Sequence, residues 1–328
     1  MPPLPEPSAE AREHSEKTSA LIRQEIEAAA GWIPFSRYME LALYAPGLGY
    51  YSAGMHKFGT TGDFVTAPEI SALFGRTLAR QAAQVLQLAA GNILEIGAGS
   101  GRLAFDLLTE LDRLGSLPER YLILEVSADL RERQRRLLQP YAPRVIWLDA
   151  LPAAFSGLVL GNEVLDAMPV HLVRWTENGP LERGVSTAPS PLTGEGWGEG
   201  EGFTWQDRPI ADQALLKKAR ALDLPPGHVS EICLAASALV RSLAERLESG
   251  LLLFIDYGFG RSEYYHPQRH MGTLRAHYRH HALDDPFHLP GLCDLTAHVD
   301  FTAIADAGIE AGLDLCGYTN QAGFLLAG

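Results

Sequence analysis

The sequence predicts an α/β protein built on a doubly wound, Rossmann-like parallel sheet. Three observations carry that prediction. From Asn92 onward, short and continuously apolar runs alternate with segments of helical spacing. Strands apolar on both faces belong to parallel sheets with helices on each side. A glycine-rich turn, Gly97, Gly99 and Gly101, stands between the first such run and the helix after it. The next two runs end on carboxylates, Glu125 and Asp149, and strand C-termini are where open α/β sheets bind ligands.

Taken in order, residues 1–18 are polar and Pro-rich and read as a disordered tail. Ser19–Gly31 has helical spacing of Leu21, Ile22, Ile26 and Ala29, with Gly31 closing it. A short helix within Phe35–Tyr51 runs into YAPGLGYYS, and KFGTTGDFVTAPEIS reads as a loop. Pro68 and Glu69 then open the helix ISALFGRTLARQAAQVLQ. Residues 19–90 are thus expected to form a helical extension that lids the substrate side, and 91–328 the main domain.

In that domain NILEIG is the first strand, followed by a helix at Leu103–Leu114. YLILEV is the second, followed by a helix at Asp129–Leu138; RVIWLD is the third and GLVLGNE the fourth. After the helix Leu234–Leu247, LLLFIDYG is the fifth strand, and LDLCGYT is a candidate sixth. Two segments interrupt this order. Residues 188–202, APSPLTGEGWGEGEG, read as a flexible insertion whose wording resembles translated intergenic repeat DNA. Residues 259–300 form a substrate-side loop, irregular over Tyr264–Pro290 but dense in Arg, His, Tyr and Phe.

Composition excludes several function classes. With 40 acidic against 27 basic residues the formal net charge is −13, which opposes the counterion displacement that nucleic-acid binding requires. Cys233, Cys293 and Cys316 are far apart and odd in number, without zinc spacing, and the histidines lack HExxH placement. No metal site is expected. No run of 18 apolar residues is present and the N-terminus carries acids without an apolar core. No membrane insertion and a cytoplasmic location are therefore expected.

The glycine turn needs residues without a Cβ so that the backbone can bend sharply and approach a ligand. The helix after it offers free N–H groups to an anionic end. A dinucleotide fingerprint would place a third glycine at position 102, where Arg102 stands. The spacing GxGxG resembles the first motif of class I methyltransferases, which use S-adenosyl-L-methionine (SAM). In such folds the carboxylate at Glu125 would hold ribose hydroxyls and that at Asp149 the adenine amino group. Glu95, inside the first strand, recurs in the same motif. NAD is the competing cofactor, and a tight turn without ligand would use the same glycines.

Six motifs occur in order: GYY (Gly49–Tyr51), GDFVTAPEIS (Gly62–Ser71), LEIGAGSGRL, GNEVLDAMPV (Gly161–Val170), IDYG (Ile255–Gly258) and LCDLTAHVDF (Leu292–Phe301). Together they resemble the MidA-like family of SAM-dependent methyltransferases, from about Ser19 to Gly328. The resemblance implies a class I fold and arginine N-methylation. The family's mitochondrial members are complex I assembly factors that symmetrically dimethylate an arginine of a core subunit. Class I sheets end in a hairpin whose last strand lies between the fifth and sixth, and only NQAGFLLAG follows LDLCGYT. Either that final strand is missing or the sheet ends differently.

An arginine acceptor is a cation, so carboxylates must orient it. Glu163 and Asp166 are three apart after the fourth strand and would share one face of a helical turn, with Asn162 adding a carbonyl acceptor. Asp166 could instead cap a helix and Glu163 pair with a local arginine. Asp256 at the fifth strand's end and His298 in LTAHVDF are further catalytic candidates. Asp63 and Glu69, ahead of the glycine loop, are cofactor-side candidates that would roof the site. Glu69 after Pro68 is equally explained as a first-turn acid. A small-molecule acceptor, or an assembly chaperone with vestigial SAM binding, would be compatible with the same cofactor loop.

Overall fold

The computed structural model describes residues 4–53, 67–89, 91–187 and 202–327. The chain divides into two compact units, each assembled from three stretches. One comprises Met1–Ala53, Ala167–Ala235 and Phe259–Val299; the other comprises Gly54–Asp166, Ala236–Gly258 and Asp300–Gly328. The division does not follow residue 90, because the chain leaves and re-enters each unit.

The second unit holds the parallel sheet. Its strands are β1 (Asn92–Ile96), β2 (Arg120–Leu124), β3 (Val145–Leu148), β4 (Phe155–Asn162) and β5 (Leu247–Ile255). They pair in the order β5-β4-β1-β2-β3, all parallel. The direction of winding reverses between β1 and β4, so the glycine loop after β1 stands at the switch point of the sheet.

The alternation along each strand shows why both faces had to be apolar. Ile93, Tyr121, Ile123 and Leu160 join one core cluster, shared with helices α1 (Ala72–Leu88) and α2 (Arg102–Arg113). Leu94, Ile96 and Val159 join the opposite cluster, with Leu243 of α4 (Leu234–Ala244). Helix α3 (Ala128–Leu137) follows β2, and Ser127 caps its N-terminus. The five expected strands and the helices between them are present, with ends within a few residues of expectation except the end of β3 to β4, where no helix intervenes.

The sixth strand is not. LDLCGYT has no regular structure, and its Leu315 and Tyr318 are largely exposed, so no apolar face binds it to the sheet. The chain closes with the helix Gln321–Ala327. Among the described residues the sheet ends at β5.

In the first unit, the helix Ala9–Ala28 begins well inside the segment expected to be a disordered tail. Ser8 Oγ accepts the Ala11 N–H at 3.2 Å and caps it. Its buried residues are Ser15, Thr18, Ile22 and Ile26. Polar residues occupy the first two inward positions, so apolar periodicity begins only in the helix's second half.

An antiparallel sheet follows that the strand count did not anticipate. Ile33–Pro34, Gly179–Thr187, His171–Thr176 and Val229–Ile232 are neighbours in that order, and Phe203–Pro209 pairs with Gly179–Thr187. The stretch 264–290 is also more regular than expected, with Arg275–Tyr278 pairing both His281–Leu283 and Asp294–Thr296. Buried Glu231 anchors it by accepting the N–H groups of Thr273 (2.7 Å) and Leu274 (2.8 Å). That anchor lies 42 residues away in sequence, out of reach of any local pattern. The Ala188–Gly202 insertion, Gly202 apart, lies outside the described residues, as does Asp63.

Among the described residues no helix is long and apolar enough to cross a membrane. No group of three or more His, Cys, Asp or Glu among them could hold a metal ion.

Candidate cofactor and acceptor site

The glycine loop has the backbone that its sequence demands. Gly97, Gly99 and Gly101 have φ of 65°, 56° and 83°, the left-handed region that L side chains rarely adopt. Space is equally restrictive. A Cβ on Gly97 would lie 3.2 Å from Val164 Cγ2, and one on Gly101 would lie 3.2 Å from Gln134 Cγ. Gly101 is the N-cap of α2, so the first-turn N–H groups of that helix face the loop.

Glu125, the residue after β2, is buried and its carboxylate accepts from Ser127 N (3.0 Å) and Gln134 Nε2 (3.1 Å). Burial pushes its pKa up, against the lowering effect of those donors and of the Gly99 and Val126 N–H groups. Glu95 shares a sheet face with Tyr121, whose O–H donates to its Oε2 at 2.7 Å. Burial foremost, with Glu125 nearby, raises Glu95 to about 7, against the lowering effect of the Tyr121 O–H. Glu69 accepts a hydrogen bond from Ser100 Oγ within the glycine loop. Asp149 stands just beyond β3, its side chain 91% exposed, in an ion pair with Arg131 at 2.6 Å. Arg131 also donates to the carbonyls of Glu125 and Leu148, each at 2.6 Å, and so ties the ends of β2 and β3 together.

The acceptor-side loop follows β4 in the same unit. Asn162 is the last residue of β4, in register with Ile255 of β5. Glu163 and Asp166 do not share a helical turn as expected. Glu163 has φ of 50°, which breaks any helix at its start, and its N–H donates to Ile255 O at 2.8 Å. The next three N–H groups, of Val164, Leu165 and Asp166, all converge on Asp256 Oδ2 at 2.9–3.3 Å. Asp256 Oδ1 takes the Tyr257 N–H at 2.8 Å. Asp256 therefore holds the loop, which makes it a positioning residue.

Burial raises the Asp256 carboxyl to about 6, opposed by those four N–H donors. Half-exposed Tyr257 is raised by burial and then by the negative charges of Glu163, Asp166 and Asp256. Three carboxylates thus converge around one aromatic ring.

The ionised form of Asp256 is the one that accepts from the loop. Protonation is expected to loosen the loop, so kcat should fall on the acid side with a midpoint near the value of about 6. Asp256→Asn offers one acceptor oxygen and an unwanted donor. It is expected to lower kcat at neutral pH by about 10- to 100-fold, given about 1.5–3 kcal/mol per hydrogen bond to a charged group. Its pH profile should lose the acid limb. A kcat–pH series on both proteins checks this, and an unchanged limb in the variant would exclude Asp256 as its origin.

His298 belongs to the other unit. Its N–H donates to Thr273 Oγ1 at 3.0 Å and its ring leans on Phe259. Burial, with help from Arg269 and Arg275, lowers its pKa below the ordinary value, against the pull of Glu231. The structure thus groups Glu95, the glycines, Glu125, Asp149 and Glu69 in one unit with Asn162, Glu163, Asp166 and Asp256. Arg131 and Gln134 were not anticipated as site residues. Their spacing of three on α3 is the only local signal, and it is a common one.

Residues 77–319 match a family model described as "Putative S-adenosyl-L-methionine-dependent methyltransferase". The chain belongs to this family. It is a SAM-dependent methyltransferase with SAM as its cofactor. A superfamily protein from Burkholderia thailandensis, solved with S-adenosyl-homocysteine bound, is 50% identical with a TM-score of 0.91 over 99% of this chain and 84% of that one. The match supports the class I fold of this methyltransferase. Among curated relatives, the Danio rerio "Protein arginine methyltransferase NDUFAF7, mitochondrial" is 33% identical over 84% of this chain and 68% of its own length. The Drosophila melanogaster homologue is 29% identical over 99% and 78%. These mitochondrial relatives overturn the cytoplasmic expectation for the methyltransferase. The N-terminal residues it rested on are largely the first turns of Ala9–Ala28, and report on the fold instead of the compartment. The positive-φ glycines, whose added Cβ atoms would collide, form a cradle that fits SAM.

Proposed function

We propose that this methyltransferase transfers the methyl group of SAM to a guanidinium nitrogen of a protein arginine, in a core subunit of respiratory complex I. Symmetric dimethylation is the expected product. The observation that carries the reading is the convergence of Glu163, Asp166 and Asp256 around Tyr257 at the ends of β4 and β5. Carboxylates beside a half-exposed ring suit a planar cation that pairs at its edge and stacks on its face. The names of the curated relatives support the arginine, and the family resemblance supports complex I.

On this reading Gly97, Gly99 and Gly101 carry the cofactor's close backbone contacts, with Glu125, Asp149, Glu95 and Glu69 on its polar side. Glu163 and Asp166 orient the acceptor, Asn162 adds an acceptor carbonyl, and Asp256 keeps their loop in place. The bound cofactor supplies an activated methyl. The acceptor nitrogen's lone pair forms the new N–C bond as the methyl–sulfur bond breaks, and one guanidinium proton is released. The chain's part is alignment and a negative field that fixes the cation, which is where such a reaction gains most. His298, neutral at pH 7 by its lowered pKa, is a candidate to receive the proton.

Purified chain, labelled SAM and complex I core subunits, read by mass spectrometry of arginine, test the proposal. Labelled methylarginine at one site is expected. Label confined to a small molecule, or an unchanged complex I arginine spectrum after loss of this gene, would overturn it.

A further inference from the structure

Gln134 lies on α3 with none of its surface exposed, and every hydrogen-bonding position of its amide except one lone pair has a partner. Nε2 donates to the Gly99 carbonyl at 2.8 Å and to Glu125 Oε2 at 3.1 Å. Oε1 accepts the indole N–H of Trp147, on β3, at 2.8 Å. The backbone of Gln134 also sits where a Cβ on Gly101 would fall, 3.5 Å from its Cα. One side chain therefore joins the glycine loop, the carboxylate after β2 and the third strand.

The chemistry of the three partners selects an amide. An indole N–H can only donate, and a carbonyl and a carboxylate can only accept. The group between them must present one acceptor and two donors, in an orientation fixed by its partners. A glutamate there would face Glu125 and the Gly99 carbonyl with its own negative oxygens. A methionine or leucine would leave three buried polar groups unsatisfied.

From this geometry we infer that Gln134 is a positioning residue for SAM, setting the Gly99 peptide and the Glu125 carboxylate in the relation the cofactor requires. The inference rests on the assignment above of the glycine loop and Glu125 to the cofactor. Its consequence is that cofactor binding is felt at Trp147, through the amide they share.

Two measurements on the full chain test this, with S-adenosyl-homocysteine as the probe. In calorimetry, Gln134→Met is expected to weaken binding about tenfold or more, as loss of donors to a charged partner does. In a double-mutant cycle with Glu125→Gln, the two losses should not add, because the residues act through one contact. Binding by Gln134→Met equal to that of the parent, or strictly additive losses, would overturn the inference and reduce Gln134 to a packing residue. If Gln134→Met does not fold, the second measurement needs only the parent chain. The Trp147 indole 15N–H resonance, identified among five tryptophans by its absence in Trp147→Phe, should shift on saturation with the probe. A resonance unmoved at saturation would overturn the inference. No binding by the parent chain would instead sink the cofactor-site assignment on which it rests.

Discussion

Glu163→Gln is expected to lower kcat by about 100- to 1,000-fold, the usual cost of removing one preorganised electrostatic contact at a reacting centre. Binding of S-adenosyl-homocysteine should be unchanged. The substitution keeps the side chain's size and leaves the N–H bond to the Ile255 carbonyl in place. It removes the charge alone. Glutamine is no better suited than glutamate to the φ of 50° at this position, so the loop's backbone has no new reason to move. An acceptor held by paired carboxylates would lose its two-pronged partner, and its attacking nitrogen would no longer be fixed in line with the methyl. Single-turnover kinetics with calorimetry separate the two effects. Transfer at the parent rate would show that the acceptor is not held by Glu163 and would favour a neutral one.

Gly101→Val is expected to abolish binding of the same probe within the measurable range, a loss above about 100-fold. The φ of 83° at Gly101 lies in the region that costs an L residue about 1–2 kcal/mol, and more when it is β-branched. The new Cβ would also approach Gln134 Cγ to 3.2 Å and its Cα to 3.5 Å. The Cα belongs to a packed helix and cannot yield as a side-chain end does. Relief requires the loop to lift, which carries the first N–H groups of α2 away from the ligand. Calorimetry, with circular dichroism to show that the sheet persists, decides the matter. Retained affinity in a folded variant would mean that the loop is not the cofactor's cradle.

Five of the parallel sheet's strands were legible because each is apolar on both faces, and the glycine loop because only glycine suits its angles. The candidate sixth strand misled because LDLCGYT is apolar enough to pair, yet nothing packs on Leu315 and Tyr318. The antiparallel sheet escaped notice although Asn178-Gly179 is a hairpin signal, since its strands carry Arg, Glu and Thr at mid-positions. Within the site, Glu163 and Asp166 stood out as acids after a strand, whereas the loop's conformation did not. Asp256 lies 90 to 92 residues from the N–H groups it holds, and no local spacing encodes such a contact. The inward roles of Gln134 and Arg131 were hidden the same way, in a helix whose other residues are mostly charged.

The carboxylate of Asp256 also sets an order of events during synthesis. Val164 to Asp166 leave the ribosome about ninety residues before the side chain that fixes them. Until β5 has been made and has paired with β4, a nascent chain can carry the complete glycine loop and Glu125 while its acceptor loop stays unanchored. A polypeptide released before Leu247 would therefore be a cofactor-binding fragment without a competent acceptor site, able to sequester SAM without using it.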